Sequence, residues 1–275
     1  MRALRRTVVW GFGFALLALT PGRAAAQIED LDHFMFLPRE AETGEVEASS
    51  LQVYRLPLGY TARKLDDHPW GLKITLPVSF GFHDVNATTS LGEYFERLRT
   101  MSVTPGIEFQ VPVAERWVLK PFAEVGVGGE LSGKSDSGIE ALYSAGLKCR
   151  GVFPRDSARM MFGGEVLYRG STSEAVAGNF GSVGVGVDSQ WQLGASKSGL
   201  RYLGGVYGIY RRFADLRLDF GLPEPTNIRN TYEAGFSFST DPVFRLWKIR
   251  FPWMAVGYRF GDGVGGFRIS LSFPF

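Results

Sequence analysis

The sequence has 275 residues, a formal net charge of +2 and one cysteine, Cys149, so an internal disulfide is excluded. The first 26 residues contain four arginines and no acidic residue. The remaining chain therefore carries about −2, without a basic block that would favour nucleic-acid binding. After residue 26, no segment has the ~20 apolar residues that a membrane-spanning helix needs.

The N-terminal segment has the pattern of a secretory signal peptide. Arg2, Arg5 and Arg6 precede an uncharged run that extends to Thr20, and three alanines follow at 24–26. A basic start, a short apolar centre and small residues before the cleavage point are typical of exported chains. We predict that residues 1–26 are a cleaved signal peptide. A membrane anchor is the alternative, but the run is shorter than a spanning helix.

From residue 51 onward, apolar and polar residues alternate over long segments. In Trp70–Phe82, every even position is apolar. That segment is longer than an average strand of ~5–6 residues, and a period of two places its apolar side chains on one face. The alternation recurs in 51–61, 101–113, 117–128, 139–150, 160–169, 183–193, 228–238 and 254–260. This pattern predicts an all-β fold, a transmembrane antiparallel up-and-down β-barrel.

The strand number follows from parity. We count ten strands from Trp70 onward, and Leu51–Thr61 makes eleven. Bacterial barrels of this kind have an even number, so we predict a short first strand around 32–39 and twelve strands in total. Residues 27–50 would then be an N-terminal segment and 51–275 the main barrel. The alternative is a ten-stranded barrel with the N-terminal segment inside or below it.

Connection lengths predict the orientation, because such barrels have short periplasmic turns and longer outer loops. The short connections are 114–116, 154–158 and 195–199, and the long ones are 84–99, 131–138 and 214–227. This orientation places five tryptophans near the periplasmic rim, as in an interfacial aromatic girdle. They are Trp70, Trp117, Trp191, Trp247 and Trp253.

The polar rows predicted to face the lumen carry charges of both signs. They include Lys73, Glu108, Lys120, Glu124, Glu140, Lys148, Arg150, Glu165, Arg169, Asp188, Arg201 and Glu233. The simplest interpretation is a structural network of ion pairs. The alternative is a selectivity lining for a small solute. Because neither sign is in excess in this set, a strongly ion-selective pore is not expected.

These polar rows are interrupted in two ways. In the segment 200–210, the apolar residues Leu203, Tyr207 and Ile209 break the row. Elsewhere, glycines leave space for a narrow channel, for strand bends or for the N-terminal segment. The glycines are Gly126, Gly128, Gly184 and Gly186.

The last nine residues, 267–275, read FRISLSFPF and predict a closing strand. Its apolar row consists of Phe267, Ile269, Leu271, Phe273 and Phe275. The stretch resembles the closing strand of bacterial outer-membrane β-barrels, in which a terminal Phe and the apolar row form the assembly signal. The resemblance implies an outer-membrane location in a Gram-negative envelope and contact with lipid and lipopolysaccharide. It also implies recognition by periplasmic chaperones and the barrel assembly machinery.

A narrower resemblance rests on the ending. Residues 257–263 read GYRFGDG and lead to the F-P-F terminus. With twelve strands and a short N-terminal extension, this looks like the solitary outer-membrane autotransporter-like β-barrels. The resemblance implies a structural or small-pore barrel of translocator type without a cofactor. About 25 residues before the first clear strand are too few for a passenger domain, so self-secretion is not expected.

An outer-rim enzyme is the alternative function. Of the three histidines, His33, His68 and His83, only His83 is predicted at the outer rim beside an acidic residue, Asp84. Outer-membrane proteases and lipid A hydrolases use such groups near that rim. A single pair lacks the second acidic pair or serine motif expected of a catalytic site. We therefore predict no catalytic site, no metal site and no cofactor.

Overall fold

The structure of the protein is a computed structural model. It describes residues 27–28, 32–38, 51–83, 98–130, 139–155, 157–172, 179–195, 199–218, 226–246, 249–262 and 264–275. The predicted signal peptide, Asp84 and Trp247 lie outside these residues. Within the described part of the chain, no helix is long and apolar enough to cross a membrane.

The described residues form sixteen β-strands in chain order. Their bounds are β1 Gln27–Ile28, β2 Asp32–Pro38, β3 Leu51–Arg63, β4 Gly71–His83, β5 Leu98–Val103, β6 Gly106–Ala114, β7 Trp117–Glu130, β8 Glu140–Arg155, β9 Ala158–Ser171, β10 Phe180–Ala195, β11 Arg201–Leu218, β12 Thr226–Asp241, β13 Phe244–Leu246, β14 Ile249–Phe251, β15 Met254–Gly261 and β16 Val264–Ser270.

Antiparallel pairing between neighbours closes these strands into a ring. Strands β5 and β6 share one position, because both lie between β4 and β7. Strands β13 and β14 form a separate hairpin between β12 and β15. The ring closes where β16 pairs with β2, with Ser270 opposite Asp32. The described wall therefore has twelve positions, and the prediction of about twelve strands is confirmed. Strand β2 is the predicted short first strand, so the ten-strand alternative is wrong.

Short turns fix the register of neighbouring strands. Glu115 and Arg116 connect β6 to β7, where Ala114 pairs with Trp117. At the turn after β15, a carboxylate oxygen of Asp262 accepts hydrogen bonds from the backbone N–H groups of Arg229 and Asn230, at 3.1 and 2.8 Å. That contact ties the turn to β12 and satisfies two backbone donors near the rim.

The alternation separates an apolar outside from a polar inside. On β10, Val185 is 54% exposed, whereas the inward-facing Asp188 is fully buried. The outward rows of other strands show the same pattern, with Val125, Val166, Phe236 and Val256 more than half exposed. A continuous apolar exterior of this extent fits hydrocarbon rather than water.

The end of the chain departs from the predicted closing strand. Strand β16 ends at Ser270, although Phe267 and Ile269 face outward as expected, with Phe267 58% exposed. Residues 271–275, here called the C-terminal tail, leave the wall and turn into the lumen, where Phe275 is 1% exposed. The prediction that all five apolar residues share one row is therefore wrong for Phe273 and Phe275. Pro274 has no N–H to donate to a ladder, which disfavours a longer strand.

The tryptophans also divide between the two faces. Trp191 is half exposed on the outside of β10, as an interfacial residue would be. Trp253 is only 2% exposed and packs inside the ring. Its predicted place in an aromatic girdle is wrong, because it contacts the C-terminal tail instead.

An arginine substitution tests whether the apolar exterior faces lipid. Val185→Arg, well inside β10, is expected to destabilise the folded barrel by ~2–4 kcal/mol, because the charge would lie in hydrocarbon. Leu193→Arg, which is near the end of the same strand and 69% exposed, should cost only ~0–1 kcal/mol. Urea unfolding in phospholipid vesicles measures both. Equal costs would contradict a membrane-facing wall.

Candidate functional site

The lumen is the candidate functional site, and the C-terminal tail occupies part of it. The side chain of Phe275 lies against Gly163 on β9 and against Gly184 and Gly186 on β10. A Cβ atom on Gly186 would lie 2.5 Å from the Phe275 ring, and one on Gly163 would overlap the Phe275 side chain directly. The three glycines therefore form a seat that larger residues would fill. Two of them are among the predicted lumen glycines, while Gly163 was not identified from the sequence.

Two basic side chains hold the same residue from neighbouring strands. Lys120 Nζ on β7 donates a hydrogen bond to the backbone oxygen of Phe275 at 3.1 Å. The Arg211 guanidinium on β11 lies over the Phe275 ring, 5.6 Å from its centroid. A cation over an aromatic face is an attractive arrangement, and it strengthens when water is excluded. The two basic side chains of the seat thus contact both the aromatic ring and the backbone oxygen of Phe275.

The rest of the tail packs in an aromatic cluster. Ring centroids of Phe273 lie 5.6 Å from Trp253 and 5.4 Å from Phe275, all in edge-to-face geometry. Tyr207 meets Trp253 at 5.4 Å in the same geometry, and Ile209 is buried in this cluster. Tyr207 and Ile209 are two of the residues that break the polar row of β11. Their largely apolar character is explained, because their side chains are buried in the cluster that contains the tail.

Glu233 on β12 is the centre of an ion-pair network. Its carboxylate lies 2.7 Å from Arg259, 3.1 Å from Arg268 and 4.0 Å from Arg211. The Tyr207 hydroxyl donates to the same carboxylate at 3.0 Å. Because Glu233 and Arg268 are both nearly fully buried, each depends on the other for compensation of its charge.

A second carboxylate links more distant strands. Glu124 on β7 pairs with Arg55 on β3 at 3.1 Å and accepts a hydrogen bond from Ser144 Oγ on β8 at 3.0 Å. Glu165 on β9 pairs with Arg211 at 3.4 Å, so Arg211 contacts two carboxylates as well as the tail. These contacts cross the lumen and join strands far apart in the sequence.

A third network is mainly uncharged. Arg159 donates to the side-chain oxygens of Gln190 and Ser239, at 2.5 and 2.6 Å. Gln190 Nε2 donates to Ser237, whose hydroxyl in turn donates to Asp188. Asp188, Gln190 and Ser239 are all fully buried. This part of the lumen is closed by packed polar side chains.

The structure places the predicted lumen charges as follows. Buried inside the ring are Lys73, Lys120, Glu124, Asp188 and Glu233. Partly buried on inward rows are Glu108, Glu140, Lys148, Arg150, Glu165 and Arg169. Arg201 is half exposed at the start of β11, where it pairs with Asp241, so its predicted place in the lumen is wrong. The cause is its terminal position, which leaves the side chain at the rim.

Sequence reasoning missed five inward arginines, and most of the ion pairs depend on them. They are Arg55, Arg159, Arg211, Arg259 and Arg268. Strict alternation would have found some of them. Arg259 lies between the outward Tyr258 and Phe260, and Arg268 lies between the outward Phe267 and Ile269.

These arginines change the charge balance of the lumen. Buried or partly buried on the inward rows of the described strands are ten basic residues: Arg55, Lys73, Lys120, Lys148, Arg150, Arg159, Arg169, Arg211, Arg259 and Arg268. Arg63 stacks on Trp70 at the rim and is not counted. Six acidic residues share the rows: Glu108, Glu124, Glu140, Glu165, Asp188 and Glu233. Among the side chains that the structure describes, the lumen therefore has a formal excess of four positive charges. The equal balance of the predicted set does not hold for these described side chains.

Only the histidine of the His83–Asp84 pair in the enzyme alternative lies within the described residues. His83 is the last residue of β4, and Asp84 lies outside the described residues. His68 lies in the turn between β3 and β4 and is exposed. Across the described ranges, no group of three or more His, Cys, Asp or Glu side chains is arranged to hold a metal ion.

The Glu233 network predicts a difference between buried and exposed ion pairs. Glu233→Gln should destabilise the barrel by ~3–5 kcal/mol, because it removes the buried carboxylate that three guanidinium groups share. Asp241→Asn, which removes the half-exposed partner of Arg201, should cost ~0–1 kcal/mol. Urea unfolding in vesicles compares the two. Similar costs would show that Glu233 is hydrated in the folded barrel.

Comparison with known proteins concerns the fold. No protein-family model matches the sequence, and no curated protein matches it. Among solved structures, the beta domain of the Bordetella autotransporter BrkA aligns with a TM-score of 0.57 at 9% identity, covering 89% of this chain and 97% of that domain. LpxR from Salmonella typhimurium aligns with a TM-score of 0.45 at 11% identity, covering 89% of this chain and 100% of that one. The NanC porin aligns with a TM-score of 0.39 at 9% identity, covering 90% of this chain and 99% of that one.

The two lower TM-scores are too small to bear on function, and an identity of 9% relates the chain to the BrkA domain by fold alone. The protein thus has an outer-membrane β-barrel fold that is similar to an autotransporter beta domain.

Proposed function

We propose that the protein is an integral outer-membrane β-barrel of the autotransporter-like type, and that its role in the conformation described is structural. The single observation that supports this role best is the placement of Phe275. Its side chain is 1% exposed and fills a glycine seat on β9 and β10, across the ring from β16. A lumen that contains a packed aromatic residue is not an open water-filled channel.

The proposed membrane location is supported by the outer surface. The wall is closed, so its strands leave no unpaired edge to face lipid. The outward rows are apolar along several neighbouring strands, and the charged residues of those strands mostly face inward. This distribution matches the solvent requirements of a bilayer.

The structural role is further supported by the ion-pair networks. Glu233 joins β12 to the nearby strands β11, β15 and β16, Glu124 joins β7 to β3 and β8, and each carboxylate has more than one partner. Networks of this density brace a wall at many points. They also occupy the space that a constitutive pore would need.

The proposed partners are outer-membrane lipid, lipopolysaccharide, periplasmic chaperones and the barrel assembly machinery. Phe267 and Ile269 on the outside of β16 support the last of these, because they remain accessible as an apolar signal on the closing strand. Phe273 and Phe275 reach their buried positions in the folded barrel, so recognition of those two would precede folding. No nucleic acid and no cofactor belong to the proposal.

The proposed function predicts a closed, detergent-resistant barrel. Unboiled protein extracted from membranes should migrate differently from boiled protein on a denaturing gel, because a folded barrel resists the detergent. In planar bilayers, the wild-type protein should show no sustained stepwise conductance. Release into the periplasmic fraction without a mobility shift would contradict the membrane barrel, and steady conductance would contradict the closed structural role.

The proposal also predicts that the rim histidine is dispensable. His83→Ala and Asp84→Ala, singly and together, should leave the lipid A and envelope protein profiles unchanged, because the proposed barrel is not an enzyme. Mass spectrometry of extracted lipid A and gels of membrane proteins measure this, with His68→Ala as the matched control. A change that is specific to His83 or Asp84 would favour the outer-rim hydrolase instead.

A further inference from the structure

We infer that the C-terminal tail is a removable stopper and that the lumen it closes is a pathway for small anions. The inference rests on the proposed membrane barrel and goes beyond its structural role. Three features of the described residues support it: the tail is not paired in the β-wall, it is held in its seat by packing and by side-chain contacts, and the described side chains of the lumen are predominantly basic.

The tail contributes nothing to the wall itself. The pairing of β16 with β15 and with β2 ends at Ser270, which lies opposite Ala255 on one side and Asp32 on the other. Residues 271–275 pair with no described strand. Movement of the tail therefore breaks no hydrogen bond of the β-ladders, and the ring stays closed while the glycine seat empties.

The seat fits the tail by shape. Gly163, Gly184 and Gly186 present bare backbone to the Phe275 ring, and Lys120 gives the one hydrogen bond described between the seat and the Phe275 backbone. Phe275 is held by packing in this seat and against Phe273, by the Arg211 guanidinium over its ring and by the Lys120 hydrogen bond to its backbone oxygen. These contacts can break without breaking a hydrogen bond of the wall. The three glycines then border an empty space rather than a packed wall.

The size of the ring makes that space relevant. Side chains just fill the interior of an eight-stranded barrel, whereas a twelve-position ring encloses more room. In this protein the extra room is taken partly by the tail, including Phe273 and Phe275, and by its aromatic neighbour Trp253. Removal of the tail opens the part of the lumen that side chains of the wall do not fill.

The charge of the lumen decides which solute this space admits. Among the inward side chains that the structure describes, ten are basic and six are acidic, an excess of four positive charges. Lys120 and Arg211, which contact the backbone oxygen and the ring of Phe275, would then face the passing solute. Rings of basic side chains favour anions in narrow pores. Chloride is the simplest probe of such a pathway.

The experiment empties the seat in two independent ways. Gly163→Val places methyl groups where the Phe275 side chain lies, and Phe275→Ala removes the ring without changing the wall. Gly181→Val is the matched control on the neighbouring strand, because a Cβ there would meet nothing closer than 3.9 Å. Heat-modifiability on gels first establishes folding for each variant. Planar bilayers under a potassium chloride gradient then give the frequency of openings and the reversal potential.

If the tail is a stopper, both seat variants keep the mobility shift and open at least about tenfold more often than the wild type, because the closed state loses its contacts. Their reversal potential has the sign of chloride permeation, and Gly181→Val stays silent. Folded but silent seat variants would overturn the inference, and so would openings that favour potassium. Loss of the mobility shift in the seat variants alone would make the tail part of the fold, which also overturns it. Loss of the shift in the wild type would instead contradict the proposed membrane barrel.

Discussion

The pairing of β16 with β2 is the constraint on which the rest of the structure depends. An open sheet would leave a row of unpaired N–H and C=O groups at each edge, and no water is present in hydrocarbon to satisfy them. Closure removes both edges at once. It also fixes the environment of every side chain, because each outward residue then meets lipid and each inward residue meets the opposite wall.

Two kinds of interaction occupy the lumen, aromatic packing and ion pairing, and they lie side by side rather than intermixed. Aromatic side chains of the tail and of β11 form one cluster, and carboxylates with their arginines form networks beside it. Arg211 joins the two, since it contacts Glu165, Glu233 and the Phe275 ring. A guanidinium suits this position because it can pair with carboxylates in its plane and present its face to a ring.

Local sequence patterns explain why the wall could be predicted, and long-range contacts explain why the position of the tail could not. The alternation in 70–82 and its repeats is a property of single strands. It predicted the β-wall and its count of about twelve strand positions. The tail could not be found that way, since Phe273 and Phe275 keep the period of two in sequence although they leave the sheet. Two signals were present: Pro274, which cannot donate to a ladder, and the apolar Tyr207 and Ile209 on an otherwise polar row. Without the fold, neither signal shows which residues the tail packs against.

The architecture could be predicted from the sequence, because the face of a strand on which a residue lies depends only on its position in a period of two. The sequence also indicated which residues face lipid, since an apolar row of that length has few other uses. The contents of the lumen, in contrast, depend on the three-dimensional arrangement of the strands. Contacts such as Arg55 with Glu124, or Phe275 with Gly163, join strands that are distant in sequence, and ring closure alone brings them together. The excess of basic charge and the direction of the tail follow from that arrangement.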